Sequence, residues 1–342
     1  MKTELKNRQW LVAARPRGLV KESDFRWNET VVPPLEDNQI LVRNIAFSFD
    51  PTQLGWMSMD TYIPKIPLGQ VMRAGAIAQV VESRKAGFSK GDLVQGLFGW
   101  EDYSISQGKG LFGMQRLPPG TDPLLALSLF GTTGLTAYFG TLAVGEPKAG
   151  ETFVVSGAAG AVGSVSGMIA KIMGCRVVGI AGGSEKCDWL IREAGFDAAI
   201  DYKHEGVGAA LTASCPEGID VYFDNVGGEI LDLVLARLAT GARIVLCGAI
   251  SRYNEAEGVY GPGPRNYFNL TFSKARMEGF LVFHFTKRYQ EAITALAQWH
   301  AQGKIKNKID LQEGLENAPK TLIRLFTGAN LGKQLLKAAD PQ

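Results

Sequence analysis

The stretch that decides the fold is SGAAGAVGS, residues Ser156–Ser164. It follows an apolar run, TFVV at 152–155, and precedes VSGMIAKIMG at 165–174, a pattern that predicts a helix. Its glycines recur at every third position: Gly157, Gly160 and Gly163. Where a strand turns sharply into a helix, the first helical N–H groups lack partners and the helix dipole is positive, so a phosphate can bind if no side chain blocks it. We therefore predict a pyrophosphate site at this corner.

The spacing of these glycines is Gly-x-x-Gly-x-x-Gly rather than the Gly-x-Gly-x-x-Gly of many dinucleotide-binding folds, so the motif alone is weak. The strand before it and the helix after it supply the supporting context. Close packing of the helix against the strand is the alternative reason for glycine here.

Strands and helices alternate after LPPGTDP at 117–123. The predicted strands are TFVVSG, CRVVGIAG, AAIDY, IDVYFDNVG and ARIVLCGA, and the predicted helices are 164–173, 185–194, VGAALTAS and EILDLVLARL. Strands rich in Val and Ile, joined by helices, imply right-handed crossovers onto a parallel sheet with both faces covered. The pattern predicts an α/β fold, a Rossmann doubly wound parallel sheet.

The chain has 342 residues, enough for two domains because single cores stop growing at roughly 250 to 300 residues. From about residue 9 to 117, short alternating apolar runs separated by turn signals predict a compact β-rich domain. From about Lys304 an amphipathic stretch and a final strand, GKQLLKA, could close either domain.

Composition argues against several classes of partner. The net charge is +2 with acidic and basic residues interspersed, so we expect no nucleic-acid partner. The N-terminus lacks the apolar core of a signal peptide, and the longest apolar run falls short of the ~18 residues that span a bilayer, so we expect a cytoplasmic protein without a membrane partner. The four cysteines are far apart, without a CxxC pair, and there are three histidines, so a zinc site is not expected.

The end of the strand after the glycine stretch indicates the cofactor's chemistry. NAD enzymes usually place an acidic residue there, about 20 positions beyond the loop, on the ribose hydroxyls. This chain has AGGSEK, in which the Gly183 amide, the Ser184 hydroxyl and the Lys186 ammonium could bind a 2′-phosphate. NADPH is therefore favoured over NADH. Glu185 could instead point at the ribose, and Lys186 could be a solvated helix lysine.

Several longer stretches resemble one family from end to end: GQVMRAG, VVES, GLTAYFG, KAGET, GAAGAVGS, GCRVVGIAGGSEKC, CPEGIDVYFDNVGG, CGAISRYN, RMEGF and NLGK. The family is the zinc-independent medium-chain dehydrogenase/reductase superfamily and, within it, the NADPH-dependent alkenal/one, prostaglandin and curcumin reductases. The resemblance implies a GroES-like catalytic domain at 1–125, a Rossmann NADP-binding domain at 126–303 and a C-terminal segment at 304–342 that returns to the catalytic domain. It also implies a homodimer.

The resemblance also implies a set of cofactor contacts. These are Gly160, Ala161, Val162 and Gly163 at the pyrophosphate, Lys186 and Tyr202 near the 2′-phosphate, and Asn225, Cys247, Gly248, Ala249, Ile250, Ser251, Phe283 and Asn330 towards the nicotinamide. Asn225 could instead be only a turn-former before VGG, and Asn330 a helix C-cap.

Reduction of an enone delivers hydride to the β-carbon and places negative charge on the carbonyl oxygen, which a metal ion or a hydrogen-bond donor must stabilise. Because no ligand cluster is evident, a donor is expected. Tyr253 matches the family's active-site tyrosine and is the first candidate, with closure of the pocket mouth as its alternative role; Tyr62 is the second candidate.

The loop DPTQLGWMS, Asp50–Ser58, departs from the family, in which relatives have roughly Asp-Pro-Tyr-Met-Arg-Gly-Arg-Met-Ser. Gln53 and Trp56 stand near the places of the missing residues, so the departure bears on substrate choice and rate. The segment 259–272, rich in Gly, Pro and aromatic residues, is expected either to cover the pocket or to form a dimer contact.

The sequence as a whole predicts NADPH-dependent reduction of the carbon–carbon double bond of α,β-unsaturated ketones or aldehydes. NADPH quinone reduction and NADPH binding without turnover are the alternatives.

Overall fold

The structure, a computed structural model, describes residues 4–109, 113–254 and 261–342. Its strands are β1 (Lys6–Val12), β2 (Phe25–Val31), β3 (Ile40–Ser48), β4 (Arg73–Ser83), β5 (Leu93–Gly99), β6 (Tyr103–Ser106), β7 (Met114–Arg116), β8 (Thr152–Ser156), β9 (Arg176–Ala181), β10 (Ala198–Asp201), β11 (Ile219–Asp224), β12 (Leu238–Leu246), β13 (Arg276–Gly279), β14 (Ile309–Glu313) and β15 (Lys333–Lys337). Its α-helices are α1 (Thr52–Ser58), α2 (Pro123–Leu127), α3 (Thr132–Phe139), α4 (Ala161–Ile172), α5 (Ser184–Arg192), α6 (Val207–Ser214), α7 (Gly228–Leu235), α8 (Asn269–Phe272), α9 (Tyr289–Ala301) and α10 (Ala318–Thr327).

The second half of the chain forms a six-stranded sheet in the order β10-β9-β8-β11-β12-β13, and every neighbouring pair in it is parallel. The order of connection reverses between β8 and β11, and ligands of such sheets bind at the carboxyl ends of the strands beside this point. The glycine stretch follows β8 directly and therefore lies at the reversal. The predicted α/β fold with a Rossmann sheet is confirmed.

Helices cover both faces of the parallel sheet. Phe153 and Val155 of β8 pack with α4, whereas Val154 packs with α6 and α7, because successive strand residues point to opposite faces. All five residues of β8 are buried, which explains the apolar run Phe153–Val155 at its centre.

The other sheet has seven strands, and its main path runs β14-β15-β3-β4-β5-β7, with β6 also pairing with β3. All of its pairings are antiparallel except β14 with β15. Strands β1 and β2 form a separate antiparallel pair. Helix α2 packs on the seven-stranded sheet, whereas α3 packs in the core of the parallel sheet.

The C-terminal residues join the seven-stranded sheet. Leu335 and Leu336 of β15 pair with β3, and α10 contributes Leu322 to the same core as Phe47. The domain boundaries at 125/126 and 303/304 stay predictions.

Helix α4 begins at Ala161, three residues earlier than the sequence pattern indicates. The reason is that Gly160 caps the helix in an extended conformation, so AVG already forms its first turn. The segment predicted at 259–272 lies partly outside the described residues, and its described part forms 3₁₀ and α turns around Arg265–Phe272. Among the described residues, none of the helices has the length and apolar composition needed to cross a membrane.

Candidate active site

The glycine corner is built from backbone. Gly157 adopts φ +58°, a left-handed conformation that favours glycine. A Cβ on Gly163 would lie 2.4 Å from the Gly157 carbonyl oxygen, so no side chain fits without moving the loop. Gly160 caps α4 without a side-chain hydrogen bond, so side chains leave the first helical N–H groups available to an anion. The predicted contacts 160–163 all lie in this corner.

Two other chain segments border the corner. The Asn225 side chain donates to the Ser156 carbonyl oxygen at 2.8 Å, and its backbone N–H donates to the Ser156 hydroxyl at 3.0 Å. On the other side, the Gly332 N–H donates to the Ala159 carbonyl oxygen at 2.8 Å, and Asn330 donates to the Gly332 carbonyl oxygen at 3.0 Å. Asn225 and Asn330 therefore fix the walls of the corner.

The alternative role of Asn330 as a helix C-cap is wrong. Helix α10 is capped by Gly328, whose φ of +67° is the left-handed conformation that such caps require. Asn330 lies two residues beyond this cap.

Sequence reasoning missed Asp224, the residue that fixes the turn before VGG. Its carboxylate is 1% exposed and accepts hydrogen bonds from the Val226 and Gly227 N–H groups at 3.0 and 2.8 Å. Burial raises the pKa of this carboxyl group, while those hydrogen bonds oppose the rise. An Asp at a strand end, directly before Asn and two glycines, is the signal that could have identified it.

A second corner, which would face the ribose, lies at the end of β9. Gly183 has φ +101° and open space where a Cβ would be, and Ser184 and Glu185 are exposed at the start of α5. The Asp201 carboxylate accepts from the Gly183 N–H at 2.8 Å. Tyr202, 47% exposed, covers Gly182 with its ring.

Lys186 is half-buried and donates to the Gly328 carbonyl oxygen at 2.8 Å, so its alternative description as a solvated lysine is wrong. Burial lowers the pKa of Lys186, and the positive charges of Lys203 and Arg324 lower it further, whereas the carboxylates of Glu185 and Asp310 oppose them. A phosphate at this corner would gain a charge-assisted hydrogen bond from the Lys186 ammonium.

The segment 247–251 follows β12 and is held to the turn after β11. The Cys247 and Gly248 N–H groups donate to the Asp224 carbonyl oxygen, and the Ser251 hydroxyl donates to the Val226 carbonyl oxygen at 2.6 Å. Ala249 and Ile250 lie between them. Burial raises the pKa of the Cys247 thiol to about 12, which disfavours the thiolate at neutral pH.

The two candidate tyrosines lie near each other, because the charge of Tyr62 acts on Tyr253, and with Phe283 they form a tyrosine cluster. Tyr253 is 37% exposed, and its hydroxyl accepts from the Ala249 N–H at 3.2 Å. The Tyr62 ring lies 5.5 Å from the Phe283 ring, and its hydroxyl is 3.1 Å from the Thr52 hydroxyl. Burial raises the pKa of both phenols, and each phenol has a hydrogen bond that opposes the rise, from the Ala249 N–H to Tyr253 and from Thr52 to Tyr62.

The Asp50–Ser58 loop forms α1, which Gln53 and Lys333 hold in place. Gln53 is buried, accepts from the Asp50 N–H at 2.9 Å and donates to the Arg73 carbonyl oxygen at 3.2 Å. Lys333 is 2% exposed and bonds the Asp50 carboxylate at 2.5 Å and the Phe49 carbonyl oxygen at 2.9 Å. Since Lys333 follows Gly332, one short segment contacts both the glycine corner and the residues that directly precede α1.

Within residues 4–109, 113–254 and 261–342, no group of three or more His, Cys, Asp or Glu side chains is placed to hold a metal ion.

The chain matches the family described as the N-terminal domain of oxidoreductase over residues 8–114 and the family described as zinc-binding dehydrogenase over residues 161–298. It is 40% identical to the NADPH-dependent curcumin reductase of Escherichia coli, with 98% of this chain and 97% of that protein covered. It is also 40% identical to prostaglandin reductase 1 of Rattus norvegicus, with 96% and 98% covered. The crystal structure of CurA from Vibrio vulnificus in complex with NADPH superposes with a TM-score of 0.92 at 40% identity, covering 98% of this chain and 100% of that one.

Proposed function

Because this chain belongs to the alkenal, prostaglandin and curcumin reductase branch of the medium-chain dehydrogenase/reductase family, we propose that it uses NADPH to reduce the carbon–carbon double bond of α,β-unsaturated ketones and aldehydes. The observation that carries the proposal is the position of the glycine corner at the reversal of the parallel sheet, where the Ile250 N–H of the segment that leads to Tyr253 donates to the Asn225 carbonyl oxygen.

The residues of the corner suit a dinucleotide. The amides at the start of α4 would hold the pyrophosphate, since Gly160 and Gly163 leave no side chain in its way. Lys186 and Tyr202 would take the 2′-phosphate, and the 247–251 segment with Asn225, Phe283 and Asn330 would enclose the nicotinamide. Bound there, NADPH supplies the hydride.

One tyrosine, Tyr253 or Tyr62, then acts on the substrate. As hydride reaches the β-carbon, the electron pair of the double bond moves towards the carbonyl and negative charge gathers on its oxygen. A phenol O–H within hydrogen-bond reach stabilises that charge and can return a proton to the product. Tyr253 is the first candidate for this role because it closes the end of the cofactor-edge segment, and Tyr62 is the second.

A homodimer through the parallel sheet is part of the proposal. Strand β13 is the last strand of that sheet, and within the described residues only β12 pairs with it. Exposed aromatic side chains precede it, among them Phe272 at 74% exposure. An open strand edge beside apolar surface favours pairing with another chain. We further propose that the protein is cytoplasmic, and that it has no nucleic-acid partner because its acidic and basic residues are interspersed.

The decisive experiment measures NADPH and NADH oxidation separately against enones, enals and quinones, with Tyr253→Phe and Tyr62→Phe assayed in parallel. We expect enone reduction with NADPH and a loss of about 100-fold in kcat in the variant that lacks the acid, the size typical of a lost general acid. Turnover of quinones alone would favour quinone reduction, and NADPH binding without any turnover would favour a non-catalytic protein.

A further inference from the structure

Lys333 lies where the last strand of the chain passes between the glycine corner and α1. Its neighbour Gly332 forms a parallel backbone bridge with Gly160, and the Gly332 N–H donates to the Ala159 carbonyl oxygen at 2.8 Å. Gly332 has φ +80°, and a Cβ on it would collide with the Lys308 carbonyl oxygen. The backbone directly before Lys333 is therefore fitted closely against the glycine corner.

The Lys333 side chain reaches the residues that directly precede α1. Its ammonium donates to the Asp50 carboxylate at 2.5 Å and to the Phe49 carbonyl oxygen at 2.9 Å. The other oxygen of the Asp50 carboxylate accepts from the Ser48 hydroxyl at 2.6 Å. The backbone pairs at the same place, since the Phe49 N–H donates to the Gln334 carbonyl oxygen at 3.1 Å. The Asp50 carboxylate is therefore held by both Lys333 and Ser48.

Asp50 in turn holds the start of α1, and α1 reaches Tyr62. The Asp50 N–H donates to the Gln53 side-chain oxygen at 2.9 Å, and the Asp50 carbonyl oxygen accepts from the Gln53 N–H at 3.0 Å. Thr52 is the first residue of α1, and its hydroxyl lies 3.1 Å from the Tyr62 hydroxyl. Hydrogen bonds and short pieces of backbone thus connect the glycine corner, through Lys333 and Asp50, with the Tyr62 phenol.

Stability alone does not account for an ion pair at this place. Lys333 is 2% exposed, and taking an ammonium out of water is unfavourable unless its partners compensate for the lost solvation. Apolar side chains of similar volume often stabilise a fold as well as a buried ion pair does. A fully hydrogen-bonded ion pair, in contrast to apolar packing, fixes the distance and direction between the two segments that it joins.

We propose that Lys333 is a positioning residue for double-bond reduction: by bonding Asp50 it fixes the start of α1 relative to the glycine corner, and so sets the place of the Tyr62 hydroxyl relative to the bound coenzyme. The inference rests on the proposed function, with Tyr62 as the phenol that contacts the carbonyl oxygen of the substrate. The place of this hydroxyl matters because a displacement of about 1 Å can lower a rate about 100-fold.

The kinetic test is a double-mutant cycle between Lys333→Met and Tyr62→Phe, read as kcat and KM for a neutral enone, with NADPH affinity and thermal melting recorded for each variant. We expect Lys333→Met to lower kcat about 10-fold with Tyr62 present and less than about 2-fold beside Tyr62→Phe, because residues that act as a unit are not additive. NADPH affinity should be unchanged, since Gly332 still borders the glycine corner.

Two controls separate positioning from a loss of stability. The double variant Lys333→Met/Asp50→Asn leaves no carboxylate without its cation, so its melting temperature should return towards that of the wild type while kcat stays low. Arg243→Met removes another buried cation, which pairs with Glu151 at the opposite end of β8 from the glycine corner. This variant should melt at a lower temperature and keep its kcat.

Two results would overturn the inference and leave the proposed function standing. One is a loss of kcat in Lys333→Met that is equally large, or equally absent, with and without the Tyr62 hydroxyl. The other is recovery of kcat together with melting in Lys333→Met/Asp50→Asn, which would mean that the ion pair serves stability only.

A readout that does not depend on turnover covers the case in which the wild type reduces no enone and the proposed function fails. The NMR signal of the Tyr62 ring, from labelled tyrosine and assigned by its loss in Tyr62→Phe, is sensitive to displacement because the Phe283 ring lies 5.5 Å away. We expect this signal to shift in Lys333→Met and in Lys333→Met/Asp50→Asn, but not in Arg243→Met. An unchanged signal in Lys333→Met would refute the link between Lys333 and the place of Tyr62.

Discussion

The glycine corner and the tyrosine cluster are built in opposite ways. The corner consists of backbone from one continuous stretch after β8, where Gly163 leaves no room for a side chain. The tyrosine cluster consists of side chains from distant segments, with Tyr62, Phe283 and Tyr253 brought together by tertiary packing. A site made from one local backbone turn tolerates few substitutions, whereas a site made from side chains on loops can change its chemistry residue by residue.

The largest effect is expected where the backbone is most crowded. In Gly163→Ala the new Cβ would meet the Gly157 carbonyl oxygen, so the corner must open, and we expect NADPH affinity to fall at least about 100-fold, ~3 kcal/mol. Calorimetric titration of NADPH gives the affinity, and chemical denaturation shows how much folding stability is lost with it.

Gly206→Ala is the matched control for that substitution. Gly206 precedes α6, has no atom within 4 Å of an added Cβ and lacks a positive φ, so binding and stability should both be kept. If Gly163→Ala bound NADPH with wild-type affinity, the glycine corner would tolerate a side chain, and the contrast drawn between the two regions would be wrong.

An intermediate effect is expected from Lys186→Met, which removes a charge and leaves the backbone of the second corner in place. A charge-assisted hydrogen bond contributes roughly 1.5 to 3 kcal/mol, so affinity for NADPH should fall about 10- to 100-fold. Affinity for NADH, which lacks the 2′-phosphate, should be unchanged, and parallel titrations of the two coenzymes check this. An equal loss of affinity for both coenzymes would mean that Lys186 only holds the Gly328 backbone in place and does not bind the 2′-phosphate.

The smallest effect is expected from Asp201→Asn, measured as stability against pH. The Gly183 N–H and His204 lower the pKa of Asp201 in the folded protein, so this carboxylate stabilises the fold above its unfolded pKa of about 3.9 and loses that contribution as pH falls through the lower folded value. The variant should therefore be slightly less stable at pH 7 and equal to wild type in strong acid. Denaturation midpoints between pH 2 and 7 test this, and curves that stay parallel over the range would contradict it.

The sequence predicts the backbone-built region well because its signals are local. Glycine spacing, an apolar strand and a following helix all lie within about 25 residues, and the fold inferred from them is confirmed. The start of α4 is the exception, since Gly in the first turn hides the helix from a pattern based on apolar periodicity.

The tyrosine cluster is harder to predict because its members are remote in sequence. Tyr62 and Phe283 are visible as aromatic residues, but nothing local indicates that their rings pack 5.5 Å apart. Lys186 depends on long-range contacts too, because the oxygen it bonds belongs to Gly328 at the end of α10. The residue assignments at both sites stay predictions until binding and kinetics are measured.

The pairing of β15 with β3 has a consequence for synthesis on the ribosome. All six strands of the parallel sheet have left the ribosome once Gly279 has, so that half can fold while translation continues. Strand β3 emerges early but meets β15 only when the last few residues appear, and a nascent chain must keep that apolar edge from aggregating meanwhile. Chains cut short before Lys333 should therefore retain a folded nucleotide half while exposing the edge that chaperones and proteases recognise.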